Sequence, residues 1–411
     1  MIRIGLRSGL KTIGLQTNAI RTLLIALLTT SAIQAQTTTN APPAPLTVRH
    51  FDPRIQYGID LIYSLKFAQA EAFFDSVMIA EPDNPVGYFF RAMTAWWRVL
   101  IDLDDHSHDE AFYQRLDQCL EICDQRLKED PNDFDAILFK GGSIGFRGRL
   151  RGDRGQYLKA ANDGRRCLPL LKRSRALEPD NKDILFGQGI YNYFADVIPE
   201  KFPIVKPIMW LLPDGDKEQG IRQLEQVAKE GRYARTEAIY FLAQIYRLFE
   251  KDNQRAQPYM EALFQAYPQN ALFHRYLARV QVENGHWEKA LPLYTDYIQR
   301  YTAGQTGYHK RGCAEAHYYI GRRAFMQRRL HKAIAAFAQA DSLGALLEEE
   351  SSERMHGFIA LANLYLGRTY DLLGQREKAI ARYRRVKKLE KYKNTHKMAK
   401  QYLKKSYTGP Q

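Results

Sequence analysis

Gly367-Arg368-Thr369-Tyr370-Asp371-Leu372-Leu373-Gly374-Gln375-Arg376-Glu377-Lys378-Ala379-Ile380-Ala381-Arg382-Tyr383-Arg384-Arg385-Val386 is the stretch that decides the fold. Gly367 precedes Ala379 by twelve residues, Tyr383 follows four later, and Val386 three beyond that. The spacing recurs as Gly321, Ala333, Phe337 and Ala340, and as Gly58, Ala70, Phe74 and Val77, closed by Pro82. Half-units repeat it at Ala256, Met260, Leu263 and Pro268, and at Ala290, Tyr294 and Tyr297 after Gly285. The unit ends echo one another: Glu81-Pro82-Asp83-Asn84, Glu129-Asp130-Pro131-Asn132, Glu178-Pro179-Asp180-Asn181 and Tyr267-Pro268-Gln269-Asn270. A small residue lets two antiparallel helices cross closely, and an aromatic four positions on shares its face. Proline stops the second helix, and Asp or Asn caps the next.

This pattern resembles the tetratricopeptide repeat. The resemblance implies an all-α, right-handed superhelical solenoid of helix-turn-helix pairs, in which stacked neighbours complete a core that no single pair can close. About eight pairs are expected over residues 53–407, with an apolar insertion at 196–214 and a basic closing helix at 394–406. Cys167 lies twelve residues after Gly155 and twelve before Pro179, the small-residue position; Cys119 and Cys123 take comparable places before Pro131. These thiols read as small core hydrophobes, and two cysteines one turn apart on a helix are badly placed for a disulfide.

The chain has 411 residues, 45% of them hydrophobic, and a net charge of +14. Four positive residues (Arg3, Arg7, Lys11, Arg21) lead to the apolar run Leu23–Leu28 and then to Ala32-Ile33-Gln34-Ala35, with no acidic residue before Asp52. Residues 1–35 therefore read as a cleaved signal peptide, the run being too short to span a bilayer. A mitochondrial presequence is the alternative. Residues 36–52, with Thr37-Thr38-Thr39 and Pro42-Pro43, read as a flexible linker. The expected location is secreted or periplasmic, with membrane association left open.

A second resemblance rests on Ile184-Leu185-Phe186-Gly187-Gln188-Gly189-Ile190-Tyr191-Asn192-Tyr193-Phe194, Ile198-Pro199, Gly215-Asp216-Lys217-Glu218-Gln219-Gly220 and Ala238-Ile239-Tyr240-Phe241-Leu242. In this order they resemble the inclusion-body clearance family, related to a mitochondrial outer-membrane protein, and its bacterial relatives. The resemblance covers about residues 130–300 and implies a helical-repeat adaptor with links to membranes and lipid handling, and no catalytic residues.

Chemistry has few footholds. The stretch Asp102–Glu110, with His106 and His108, is dense enough in carboxylates and imidazoles to suggest a divalent metal. Ser107 and Glu110 also spell a capping box, which is the reading preferred here. Nucleophile, zinc-protease and phosphate-loop motifs are missing from the sequence. No enzyme activity, cofactor, metal ligand or nucleic-acid partner is expected.

Two features suggest binding. The insertion carries Phe202, Ile204, Val205, Met209, Trp210 and Leu211 among four prolines, as a loop that either packs back or meets a partner or bilayer. Basic excess collects in two windows: residues 140–175 hold eleven Lys or Arg against two Asp, and residues 376–405 thirteen against two Glu. The leading expectation is a non-enzymatic protein-binding scaffold of the cell envelope, holding a protein or peptide in a concave groove. Candidate groove residues, chosen by helix face, are Tyr191, Asn192, Tyr240, Gln244, His274, Arg275, Tyr318 and Arg322. The alternative is a membrane-peripheral lipid-handling module that meets anionic lipid or envelope polymer through the insertion and the basic tail. A metal-dependent enzyme ranks last.

Overall fold

A computed structural model describes residues 53–201, 213–350 and 357–409. The expected signal peptide, the linker and the six insertion residues named above lie outside them. Among the described residues every regular element is helical, which is the all-α repeat class that the spacing predicts.

The chain divides into two compact units on either side of Tyr267 and Pro268. The first contains α1 (Pro53–Tyr63), α2 (Phe67–Ala80), α3 (Pro85–Ile101), α4 (Asp109–Glu129), α5 (Phe134–Asp153), α6 (Tyr157–Leu177), α7 (Ile184–Lys201), α8 (Lys217–Glu230), α9 (Arg235–Gln244) and α10 (Asn253–Ala266). The second contains α11 (Ala271–Glu283), α12 (Trp287–Thr302), α13 (Lys310–Met326), α14 (Leu330–Glu350), α15 (Gly357–Leu372), α16 (Arg376–Lys388) and α17 (Thr395–Lys404). Within each unit consecutive helices pack on one another, and first helices also touch first helices, as α4's neighbours α3 and α5 do and as α13 and α15 do.

The twelve-residue spacing has a direct steric cause. A Cβ on Gly58 would stand 2.5 Å from the Phe74 ring, on Gly321 2.7 Å from Phe337, and on Gly367 2.3 Å from Tyr383. Each aromatic thus lies flat on a backbone that has no side chain to hold it off. The turn inside a pair is equally regular. Gly155, Gly285 and Gly374 adopt φ of +73°, +80° and +72°, and Leu65, Lys251 and Arg328 occupy the same turn position at 58°, 55° and 58°. Gly155 is therefore a turn glycine and not the helix-crossing residue that the twelve-residue spacing to Cys167 predicts; Cys167 packs beside Gly145 and donates to the Gly141 carbonyl at 2.9 Å.

The unit ends behave as caps. Asn84, Asp133, Asp216, Asp252 and Asn270 each accept from a backbone N–H in the first turn of the following helix. An arginine near the end of a second helix then ties back to the preceding turn: Arg126 to the Asp83 carbonyl at 3.1 Å, Arg300 to Pro268 at 2.6 Å, and Arg173 to Pro131. The capping box at Ser107 does not form. Helix α4 starts from His108 with no side-chain cap, because the Ser107 N–H is taken by Asp105 at 2.9 Å and Asp109 is held by Arg154 through two bonds of 2.6 and 2.7 Å. Among the described residues no group of His, Cys, Asp and Glu is placed to hold a metal ion. No described helix is long and apolar enough to cross a membrane.

Candidate functional site

The first unit contains a half-open cavity of about 250 Å³. Its walls come from α1 (Ile59, Ile62, Tyr63), α3 (Phe89, Phe90, Met93, Trp97), α5 (Ile137 to Arg149), α6 (Cys167, Leu170, Leu171), α7 (Ile184, Phe186, Ile190) and α9 (Glu237, Phe241). The sequence makes this room with glycine. Gly141, Gly142 and Gly145 on α5, Gly164 on α6 and Gly187 on α7 line the space. Glycine in a helix interior costs roughly 0.5–1 kcal/mol relative to alanine, so five of them on one lining mark an opening that the fold maintains at a cost.

Most polar groups on the wall are already engaged. Asp183, at the start of α7, accepts from the backbone N–H groups of Arg232, Tyr233 and Ala234 at 2.8, 3.1 and 3.2 Å, clamping the start of α9. Ser174 donates to the Leu170 carbonyl at 3.0 Å. Burial pushes the Cys167 thiol up to about 12, which keeps it protonated and a poor nucleophile.

Arg149 and Glu237 are different. The Arg149 guanidinium lies 4.7 Å from the ring centres of both Trp96 and Phe241. Glu237 Oε1 accepts from the Tyr63 hydroxyl at 3.3 Å and from Trp97 Nε1 at 3.2 Å. Between them the closest approach is 4.0 Å, and Arg149 Nε and Nη1 and Glu237 Oε2 are buried without a hydrogen-bond partner. Burial raises the Glu237 carboxyl above its ordinary value against the pull of Arg149 and of its two donors. Burial likewise raises Tyr63 well above the usual phenol range, so its hydroxyl remains a donor to Glu237.

A second, larger groove of about 860 Å³ adjoins the first along Leu138, Phe139, Asp183 and Tyr233, which line both. It is built from the unit-end turns and carries Glu81, Asp135, Glu178, Asp180 and Glu230 alongside Arg54, Lys182 and Arg232.

The eight residues chosen from helix face fall in two groups. In the first unit, Asn192 donates to Gln219 at 3.2 Å and Gln223 at 2.8 Å, fixing α7 to α8, and Tyr191 donates to the Pro213 carbonyl. Tyr240 is buried edge-on to Trp97, and Gln244 accepts from Arg247 at 3.2 Å. None of these four lines the cavity, but their sequence neighbours Ile190 and Phe241 do. In the second unit, His274 is fully buried against Tyr308 at 3.1 Å, and Arg275 meets His309 at 3.4 Å. Tyr318 is buried among Tyr319, Phe337, Phe358 and Tyr365, and the Arg322 guanidinium lies 5.6 Å over Trp287. Sequence reasoning missed Arg149 and Glu237. The available signals were a lone carboxylate heading the apolar run Ala238–Leu242 and the glycine-rich face of α5.

The two basic windows also diverge. In residues 140–175, Arg147 and Arg151 both hold Asp163, Arg154 holds Asp109, and Lys140 holds Asp124. In residues 376–405, Arg376 and Arg382 are paired to Asp371 and Asp341, while Lys387, Lys388, Lys391, Lys397, Lys400 and Lys404 are exposed.

Tetratricopeptide-repeat family models match residues 247–302, 281–346 and 361–390. No curated protein matches the chain. Among solved structures, the chain is similar to the human IFIT1 dimer with m7Gppp-AAAA, at 15% identity over 79% of this chain and 68% of that one, with a TM-score of 0.43. It is similar to the C-terminal part of a repeat-containing protein from Cytophaga hutchinsonii, at 18% identity over 70% of this chain and 95% of that one, with a TM-score of 0.34. A third similarity is to a tetratricopeptide repeat protein from Parabacteroides merdae, at 13% identity over 86% and 96% of the two chains, with a TM-score of 0.24.

Proposed function

We propose that this tetratricopeptide-repeat chain is a non-enzymatic protein-binding scaffold of the cell envelope whose first unit grips a segment of its partner. The observation that carries the reading is the apolar cavity in the first unit, joined along shared walls to a polar groove. Such a sequence of surfaces suits an extended peptide: polar positions lie in the groove, and an apolar anchor enters the cavity. At about 250 Å³ the cavity is smaller than the roughly 300–1,000 Å³ of whole small-molecule sites and has the scale of one or two side chains. The leader-like residues 1–35 support the envelope location, and the likeness of the 184–242 segments to an adaptor family supports the binding role.

Affinity purification from envelope fractions tests the reading. Gly145→Leu adds a side chain to the cavity lining at a position where its Cβ would meet only Cys167 Sγ, at an ordinary 3.7 Å. The partner retained by the native chain should drop at least ten-fold with this variant. Equal retention would overturn the reading, and a mature N-terminus still carrying residues 1–35 would remove the envelope assignment. The lipid-handling reading keeps one support, the exposed lysines of α16 and α17. Failure of the chain to sediment with anionic vesicles would eliminate it.

A further inference from the structure

The cavity of the first unit contains two charged side chains that the fold leaves incomplete. Arg149 is 5% exposed and Glu237 6%, and three of their polar atoms have no hydrogen-bond partner. The 4.0 Å between them is too long for a hydrogen bond. Both groups are already engaged elsewhere: the guanidinium lies 4.7 Å from the ring centres of Trp96 and Phe241, and Tyr63 and Trp97 donate to the carboxylate. A buried donor and acceptor fixed at this separation define the complement that would satisfy them.

We infer that the cavity takes an uncharged primary amide on an apolar stem, the group an asparagine or glutamine of the partner presents, with its carbonyl accepting from Arg149 and its N–H donating to Glu237. The assignment rests on the scaffold reading and adds the chemistry of the anchor. A carboxylate would satisfy Arg149 but face the Glu237 carboxylate; an ammonium would do the reverse. A trans peptide unit points its N–H and C=O in opposite directions and cannot use both partners along one edge. A primary amide carries acceptor and donor side by side. An alcohol puts donor and acceptor on one oxygen, so a single atom must reach both groups, whereas the amide divides the two contacts between two atoms. The apolar remainder of the wall receives the stem.

Calorimetric titration of the full chain at pH 8 with hexanamide, hexanoate, hexylammonium and 1-hexanol separates these cases. Hexanamide is expected to bind at least ten-fold more tightly than each of the others. Glu237→Gln keeps an oxygen for Tyr63 and Trp97 and places an N–H₂ where Oε2 stood, so both flanking groups become donors. Preference should then invert, with hexanoate at least ten-fold tighter than hexanamide. Arg149→Met provides a second arm that does not depend on that variant folding: it should abolish the discrimination among the four probes. Native chain that binds hexanamide no better than hexanol or hexanoate, or that binds none of them, overturns the amide assignment. Loss of the partner in Gly145→Leu alongside that result would leave the scaffold reading standing, so the two failures are distinguishable.

Discussion

Each unit buries an arginine–glutamate pair, and the two pairs are finished differently. In the second unit Arg279 binds both oxygens of Glu315, which is 1% exposed, with Arg275 4.0 Å away as a further counter-charge. In the first unit Arg149 and Glu237 stop 4.0 Å apart beside an open cavity. A closed bidentate pair is complete within the fold, and breaking it leaves one buried charge alone. A pair held apart by its own neighbours already bears part of that cost, so removing it sacrifices little stability. The contrast separates a charge pair that holds helices together from one kept available for something that enters.

The largest effect that would sharpen this contrast is Arg279→Met, which removes both hydrogen bonds to Glu315 and leaves it with Arg275 at 4.0 Å. It should cost about 3–5 kcal/mol in urea unfolding, whereas Arg149→Met should cost about 1 kcal/mol, the worth of its two ring contacts less the relief of its unmet donors. Similar losses at both positions would break the comparison.

Acid provides the next test, because the units carry groups of opposite sign. Burial pushes His274 in the second unit from 6.5 down to about 4, so its stabilisation is present above pH 6.5 and is lost as pH falls toward 4. That loss is on the order of 3 kcal/mol, and His274→Gln should flatten it. Glu237 in the first unit is raised instead, so its stabilisation is present at low pH and is lost as pH rises through its folded value. Hydrogen exchange followed between pH 7 and 4.5 should therefore show the amides of α11 and α12 losing protection before those of α5 and α9. The opposite order would contradict the assignment.

The smallest predicted effect treats the units alike. Lys251 in the first and Arg328 in the second are exposed residues at φ 55° and 58°, in the turn position where other pairs carry glycine. Lys251→Gly and Arg328→Gly should each stabilise by about 1 kcal/mol, the order of the left-handed strain removed. A thermal melt that moves down in either variant would count against a shared turn geometry.

The repeat was legible because its signals are local. Gly367 and Tyr383, Asn84 and Asn270, and Gly285 and Gly374 each act through spacing along one or two helices, which the sequence displays directly. The register slipped at Gly155, where the glycine serves the turn, and the cap at Ser107 was displaced by Asp105 and by Arg154 reaching across from α5. The site was harder to find because it depends on which face of α7 and α9 turns inward. Tyr191 and Tyr240, chosen by helix face, lie one residue, or about 100° around a helix, from Ile190 and Phe241, which line the cavity. Three of the partners of Arg149 and Glu237, namely Tyr63, Trp96 and Trp97, come from α1 and α3, far off in sequence, so no spacing rule announces them. Charge counts misled for the same reason: Arg154 and Lys140 in residues 140–175 are bound to Asp109 and Asp124, which lie outside that window.

One chemical change made at two positions tests the account most directly. Glu237→Gln and Glu315→Gln remove the same charge from the two pairs, and urea unfolding of the full chain reads the cost of each. Glu315→Gln should lower stability by about 3 kcal/mol and Glu237→Gln should change it by less than about 1 kcal/mol, in either direction. Equal losses at the two positions would mean that Arg149 and Glu237 also serve the fold alone, and the case for a ligand between them would fail.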